Sequence, residues 1–377
     1  MIWIILIFIC IGAIAIFALP YVLISRTELP QPSGKWQVGT QDLTWDAPDS
    51  LSEKLRQRFQ TDIIAKVWYP TNDRSAGSSP YIDRVGRVFS DVTAINLSYK
   101  LIFWLLRRVA TSPASINAIP IDRPDCLPII LFSPGFGGIN YLGTFYALEF
   151  ASNGFIVVGI NHPNSNVGTM CTDGSQIKFE SFDPAIFNEP AKLEQYLGKI
   201  TQAQAQNISA IIDKVIQMDS VPDSLFYQRI NNSKIFAAGH SAGGAASFVA
   251  CGQDRRISKA VNLDGAFIDL GMENAKYTGK KLLSINSDRE KYKPKDRKSL
   301  SQYNAIGAID KLWMDKLATQ ANLQQQIIPL ATHYSFTDLS ILINPRIGRK
   351  LGVLGQSNGL SILTETSKIM IDFFNEG

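Results

Sequence analysis

Histidine and cysteine are scarce in this 377-residue sequence. Only three histidines occur, at positions 162, 240 and 333, so chemistry that needs an imidazole has very few candidates. The four cysteines, at positions 10, 126, 171 and 251, include no CxxC pair, which argues against a disulfide framework and against a zinc site. Lysine and arginine are scattered rather than gathered into a basic stripe, so the net charge of +4 does not indicate nucleic-acid binding.

Charge is also missing from the beginning of the chain. Residues 2–24 contain no charged side chain, and about 20 apolar residues suffice to cross the hydrocarbon core of a bilayer as a helix. A cleaved signal peptide usually has a shorter apolar core that follows a positively charged segment, and that segment is missing here. We therefore predict a single-pass membrane anchor over residues 1–28 and a catalytic domain over residues 29–377. We expect that domain to lie outside the cytoplasm.

A second apolar segment covers residues 95–110 and reads INLSYKLIFWLLRRVA. Leu97, Leu101, Trp104 and Leu105 recur at helical spacing, which predicts an amphipathic helix. Two interpretations stay open, because such a helix can pack on a protein core or insert into a lipid surface next to the anchor.

Short apolar runs alternate with helical segments along most of the remaining chain. The runs that we interpret as strands cover residues 63–69, 127–132, 155–160, 235–238, 260–263 and 282–285. Helical segments such as residues 195–218 separate them. This alternation predicts a mostly parallel sheet with helices on both faces.

The motif Gly239-His240-Ser241-Ala242-Gly243 matches G-x-S-x-G and lies between a predicted strand and a predicted helix. That strand, turn and helix form the context of a nucleophile elbow, which exposes the serine above the sheet of an α/β-hydrolase fold. The sequence therefore predicts this fold, with Ser241 as the nucleophile.

A serine nucleophile needs an imidazole base, and the base needs an acid that orients it. The usual chain order of this fold is serine, acid, histidine, and His333 is the only histidine after Ser241. His240 is expected to be a structural neighbour, and His162 is expected at the mouth of the pocket. Two aspartates, Asp264 and Asp288, each follow a predicted strand, and their spacing leaves the choice of acid open.

The segment FSPGFGG, residues 132–138, follows an earlier predicted strand. A glycine-rich turn at this place can present backbone N–H groups to a tetrahedral intermediate, and losing one such donor costs about 100- to 1,000-fold in rate. We expect the N–H groups of Phe136 and Ala242 to form the oxyanion hole. The mechanism needs neither a metal nor an organic cofactor, and we expect none.

Over residues 30–374 the chain resembles the plasma-type platelet-activating factor acetylhydrolases, which are also known as lipoprotein-associated phospholipases A2. The resemblance rests on PSGKWQVGTQDLTW, AKVWYP, FSPGFGG, FASNGFIVVGINHP, GHSAGGA, VNLDGAF and HYSFTDLS, in this order. It implies Ser241 as nucleophile, His333 as base and Asp264 rather than Asp288 as acid. The family often has histidine where Pro134 stands and a bulkier aromatic residue where Ala242 stands, so these differences predict a widened or altered acyl pocket.

The resemblance implies calcium-independent hydrolysis of short or oxidised acyl chains from the sn-2 position of phospholipids, ether phospholipids among them. Two alternatives remain from the sequence: a broad-specificity carboxylesterase or polyester hydrolase, and a catalytically silent membrane-bound binding protein. The expected partners are a phospholipid or small ester substrate and a membrane, without nucleic acid. The sequence leaves the oligomeric state open.

Overall fold

A computed structural model describes most of the chain. The described residues are 22–45, 62–73, 78–83, 111–122, 126–181 and 183–376. Most of the predicted membrane anchor, residues 1–21, and the predicted amphipathic helix of residues 95–110 lie outside these ranges, so both stay predictions.

Ten of the described strands form one large sheet, and two more form a small hairpin. In chain order the strands are β1 Gln37–Trp45, β2 Ile63–Thr71, β3 Ser78–Pro80, β4 Thr111–Ile116, β5 Leu127–Ser133, β6 Ile156–Gly159, β7 Thr169–Met170, β8 Gln176–Ile177, β9 Ile230–His240, β10 Ile257–Leu263, β11 Lys281–Asn286 and β12 Asn322–Ile327. The large sheet has the order β12-β11-β10-β9-β5-β6-β2-β1-β4-β3, and β7 pairs with β8.

Parallel pairing dominates the sheet. The run from β6 through β5, β9, β10 and β11 to β12 is parallel throughout, whereas β2 is antiparallel to both β1 and β6. Parallel neighbours put their carboxyl ends at one edge, so the residues that follow β9, β10 and β11 are brought close together.

Seven described α-helices connect and cover the strands. They are α1 Thr144–Ser152, α2 Pro190–Ser220, α3 Ala242–Gln253, α4 Arg297–Ala318, α5 Leu339–Leu342, α6 Pro345–Lys350 and α7 Gly359–Asn375. Buried side chains of α1 and α7 belong to one hydrophobic cluster, and those of α2, α3 and α4 belong to a second.

The sheet separates these two clusters. In β5, Ile130 and Phe132 belong to the cluster with α1 and α7, whereas Ile129 and Leu131 belong to the cluster with α2, α3 and α4. Successive side chains of a strand point to opposite faces, so a strand covered on both faces is apolar along its whole length. The prediction of a mostly parallel sheet with helices on both faces is therefore confirmed.

The chain just before the predicted domain start is joined to the folded body. The backbone N–H of Ser25 donates to the carbonyl of Leu342 at 2.8 Å, and Leu29 donates to Thr111 at 2.9 Å. Ile24 is buried. The last residues assigned to the anchor thus pack against the folded body. No helix within the described ranges combines the length and apolarity that a bilayer crossing requires.

Candidate active site

Ser241 lies on a sharp turn between β9 and α3. Its backbone has φ 56° and ψ −129°, a conformation that a residue with a side chain rarely adopts. The turn needs a glycine at position 243, because a Cβ there would lie 2.3 Å from the carbonyl oxygen of Ser133. The predicted strand, turn and helix around Ser241 are therefore present, and the side chain stands at the carboxyl edge of the sheet.

Asp264 and His333 are brought together at the same edge. Asp264 directly follows β10, and its Oδ2 lies 2.8 Å from Nδ1 of His333. The carboxylate is almost enclosed, with a side-chain exposure of 3%, whereas the imidazole is 40% exposed. A carboxylate at this distance fixes the imidazole with Nδ1 as the donor, which leaves Nε2 available as a base.

Ionised Asp264 is stabilised by its neighbours. Burial favours the neutral acid, but the hydrogen bond and charge of His333, the charge of Arg289 and the N–H of Ser287 together hold the pKa of Asp264 well below its usual range. The Ser287 N–H and hydroxyl donate to Oδ1 at 3.0 and 2.9 Å. The carboxylate is thus both charged and fixed in direction.

The loop that carries His333 is held by its own hydrogen bonds. His333 begins a short 3-10 helix whose preceding residue, Thr332, exchanges hydrogen bonds with Ser335 as a capping box. The ring of His240 donates from Nε2 to the carbonyl oxygen of His333 at 2.8 Å, since a carbonyl can only accept. Burial, and next the charge of His333, lower the pKa of His240 to about 3, so this ring is neutral near pH 7.

The glycine-rich segment after β5 lies directly against Ser241. A Cβ on Gly135 would be 2.9 Å from Cβ of Ser241, so this close approach requires glycine. The N–H groups of Gly137 and Gly138 donate to Ser165 and Gly135 within the loops. Ala242 is the first residue of α3, and N–H groups of a first helical turn lack an acceptor inside their own helix.

Two cavities meet at Ser241. The larger has a volume of about 690 Å³ and has walls from α2, from the segment after β11 and from α4. The smaller has about 110 Å³ and is bounded by the glycine-rich segment together with residues of the His333 loop. Phe136, Ser241 and His333 line both cavities. A bound molecule could therefore extend in two directions from the serine.

Two of the other candidate residues lie away from this centre. Asp288 accepts hydrogen bonds from the backbone N–H groups of Lys291 and Leu330, so it braces its own loop and does not contact His333. The expectation for His162 is wrong, because its side chain is fully buried and faces Asn207 instead of a pocket mouth. Burial lowers the pKa of His162 to about 3.

The sequence analysis did not identify three residues that lie next to the site. Ser287 and Arg289 both contact the Asp264 carboxylate, and Asp310 of α4 binds the other end of Arg289. Ser287 and Arg289 flank Asp288, so their position after a predicted strand was a usable signal. Asp310 lies on a helix without any motif around it, and only the packing of α4 reveals it.

No group of three or more histidine, cysteine, aspartate and glutamate side chains in the described part of the chain is arranged to hold a metal ion.

Ser241, Asp264 and His333 thus lie at the carboxyl edge of a mostly parallel sheet that helices cover on both faces. A family model described as "Platelet-activating factor acetylhydrolase, isoform II" matches residues 21–377. The chain therefore belongs to the platelet-activating factor acetylhydrolase family.

Individual relatives are distant. The platelet-activating factor acetylhydrolase of dog (Canis lupus familiaris) is 24% identical over 300 residues, which cover 74% of this chain and 65% of that protein. The corresponding protein of cattle (Bos taurus) is 23% identical over 298 residues, 71% of this chain and 62% of that protein. The chain thus spans slightly less than two thirds of the length of these two relatives.

A solved structure shares the fold. The ferulic acid esterase from Streptomyces cinnamoneus superposes with a TM-score of 0.65 at 20% sequence identity, and the match covers 92% of each chain.

Proposed function

We propose that this protein is a serine ester hydrolase of the α/β-hydrolase fold that removes short or oxidised acyl chains from the sn-2 position of phospholipids, ether phospholipids included. One observation carries the proposal: the hydrogen-bonded pair of Asp264 and His333 lies beside the strained Ser241 where two cavities meet.

In the proposed mechanism, Ser241 Oγ attacks the ester carbonyl while Nε2 of His333 takes the hydroxyl proton. Asp264 holds Nδ1 and stabilises the imidazolium that forms. The imidazolium then protonates the leaving alcohol oxygen, which departs and leaves an acyl-enzyme. Water attacks the acyl-enzyme with the same imidazole as base and regenerates the serine.

The negative oxygen of each tetrahedral intermediate needs preorganised donors. We assign this role to the N–H groups of Phe136 and Ala242. Two features support the assignment: Gly135 approaches Ser241 closely, and Ala242 starts a helix whose N-terminus carries partial positive charge.

The sizes of the cavities support a lipid-like ester. A volume of about 110 Å³ suits a short acyl group, whereas 690 Å³ is within the range of pockets that enclose whole small molecules. The larger cavity is apolar on the side of Leu193, Leu197 and Ile200, and on another side it carries the ion-paired side chains Arg289, Lys293 and Glu290. Such a lining suits an alcohol that has both a chain and a polar headgroup.

The test is acetate release from a 2-acetyl ether phospholipid, measured for the wild type and for Ser241→Ala, with p-nitrophenyl acetate and butyrate as comparison substrates. The proposal predicts that the wild type prefers the phospholipid and that the variant is inactive on all three. Cleavage of simple esters alone would favour a broad carboxylesterase or polyester hydrolase. A folded wild type without any turnover would favour a silent binding protein.

We further propose that the charge-free segment at the start of the chain anchors the protein in a membrane, up to the point where Ile24 and Ser25 join the folded body, with the catalytic domain outside the cytoplasm. The charge-free composition of this segment supports the proposal. Protease treatment of intact cells tests the orientation. Digestion of the domain is expected before lysis, and protection until lysis would contradict the outward orientation.

A further inference from the structure

Arg289 lies between two carboxylates at the site. Its Nε donates to Oδ1 of Asp264 at 3.2 Å, and its Nη1 donates to Oδ2 of Asp310 at 2.9 Å. The three side chains are 29%, 3% and 14% exposed respectively. Ion pairs with this little solvent around them are screened much less than surface pairs. Arg289 therefore acts on the charge of Asp264 directly.

The same contacts fix the direction of the Asp264 carboxylate. Arg289 and the Ser287 N–H bind Oδ1, the Ser287 hydroxyl lies 2.9 Å from both oxygens, and Oδ2 accepts from Nδ1 of His333 at 2.8 Å. Asp310 also accepts the backbone N–H of Phe267 at 2.8 Å, three residues after Asp264. Asp310 thus connects Arg289 to the loop that carries the acid.

We infer that Arg289 is a positioning residue for the proposed triad. Arg289 orients Asp264 and partly offsets the negative charge of this carboxylate at His333, and Asp310 holds Arg289 in place. This inference rests on the proposed function. It has an electrostatic consequence with a definite sign. Removing the positive charge of Arg289 strengthens the attraction between Asp264 and a protonated imidazole, whereas removing the negative charge of Asp310 weakens it.

Other ionisable groups face the same centre and must be considered in any pH profile. His240, at the end of β9, contacts the backbone of His333 and is neutral near pH 7 because burial lowers its pKa to about 3. Tyr303 of α4 is close enough to interact with Asp264 and Arg289, and burial raises its pKa. Lys293 forms an ion pair with Glu290. Burial raises the pKa of Asp310, and the charge of Arg289 opposes that change. Neither His240 nor Tyr303 changes charge between pH 5 and 8, so neither reverses the sign of the expected shifts.

The experiment measures kcat and KM from pH 4.5 to 9 with p-nitrophenyl acetate, a neutral ester whose binding does not need a cation. In the pH profile of kcat/KM, Arg289→Gln should move the acid limb to higher pH by about 0.5 pH unit. Asp310→Asn should move the same limb to lower pH. The double variant should fall between the two. Arg289→Gln should also lower kcat about tenfold with little change in KM, because the carboxylate is less well oriented.

Two further variants separate charge from geometry. Arg289→Lys keeps the charge but loses the second arm of the guanidinium, so its acid limb should stay near that of the wild type while its kcat falls. Lys291→Met is the matched control, because it removes an exposed lysine two residues away whose side chain has no contact with Asp264 in the described structure. Its profile should equal that of the wild type.

Opposite shifts of the two single variants, both folded by circular dichroism, support the inference. Shifts in the same direction, no shift, or a change in KM alone would overturn it. Failure of the proposed function is distinguishable, because the wild type would then show no esterase activity, or an activity that Ser241→Ala retains, whatever the Arg289 variants do.

Discussion

Asp264 contacts the start of the His333 loop and Asp338 lies at its end. Both aspartates are buried, but their surroundings differ. Asp264 is bonded to His333 and Arg289, which are or can become cationic, and its pKa is held well below the usual range although burial opposes this. Asp338 accepts from the N–H of Phe145 and the hydroxyl of Tyr81, both neutral, and burial raises its pKa.

The comparison shows that burial alone does not make a carboxyl group suitable for catalysis. An aspartate enclosed by neutral donors favours the protonated form, whereas cationic neighbours keep an equally enclosed aspartate ionised. Asp338 lies five residues after His333 in the motif HYSFTD. Its carboxyl group connects this motif to the start of α1, because it accepts from the N–H of Phe145. The motif therefore contains one residue proposed for chemistry and one that fixes the loop.

The largest expected effect comes from Asp264→Asn. The amide can still contact His333, but it carries no charge and favours the wrong tautomer, so kcat should fall by about 10⁴-fold. Steady-state hydrolysis of p-nitrophenyl acetate measures this. Asp338→Asn is the matched control and should stay within about threefold of the wild type, since it does not contact the imidazole. Equal losses in the two variants would remove the distinction between the two aspartates.

Substitution of Asp338 should affect the free energy of unfolding rather than the rate of hydrolysis. Asp338→Ala leaves the N–H of Phe145 and the hydroxyl of Tyr81 without their acceptor, which should lower the free energy of unfolding by about 3 kcal/mol. Asp338→Asn keeps an acceptor and should cost about 1 kcal/mol. Urea unfolding followed by tryptophan fluorescence measures both. An alanine variant as stable as the asparagine variant would show that these bonds contribute little.

The two aspartates should affect the pH dependence of stability with opposite sign. The lowered pKa of Asp264 contributes stability that is present above the unfolded-state value of about 3.9 and is lost as pH falls towards the folded-state value. The raised pKa of Asp338 contributes stability that is present below about 3.9 and is lost as pH rises through the folded-state value.

Urea unfolding at several pH values between 3 and 8 tests this smaller effect. Relative to the wild type, Asp264→Asn should become less destabilising as pH falls below 5, and Asp338→Asn should become less destabilising as pH rises. Parallel pH dependences in the two variants would contradict the assigned charge states.

Much of the framework could be predicted from the sequence because it depends on local patterns. The apolar run of residues 127–132 corresponds to β5, and the motif around Ser241 forms the expected turn. Boundaries were less certain, since β9 begins at Ile230 with polar residues before its apolar part. The edge strand β12, with the sequence NLQQQI, was missed because it is polar and largely exposed.

The site was predictable only as far as chain order determines it. Asp264 and Asp288 both follow parallel strands, so spacing left the acid open. The family resemblance implied Asp264, and packing brings His333 against it. The contacts of Arg289 with Asp264 and Asp310 join residues 25 and 21 positions apart. They depend on how α4 packs against the loops that follow β10 and β11, and local sequence patterns carry no information on this.

The central claim is that Ser241, activated by His333, forms a covalent acyl-enzyme. The most direct measurement is the intact mass of the protein after reaction with a fluorophosphonate, in which the serine oxygen bonds to phosphorus and hydrogen fluoride leaves. We predict that the wild type gains one phosphonyl group on Ser241 with parallel loss of esterase activity, and that folded Ser241→Ala gains none. Equal labelling of the variant, or esterase activity that survives complete labelling of Ser241, would contradict the claim.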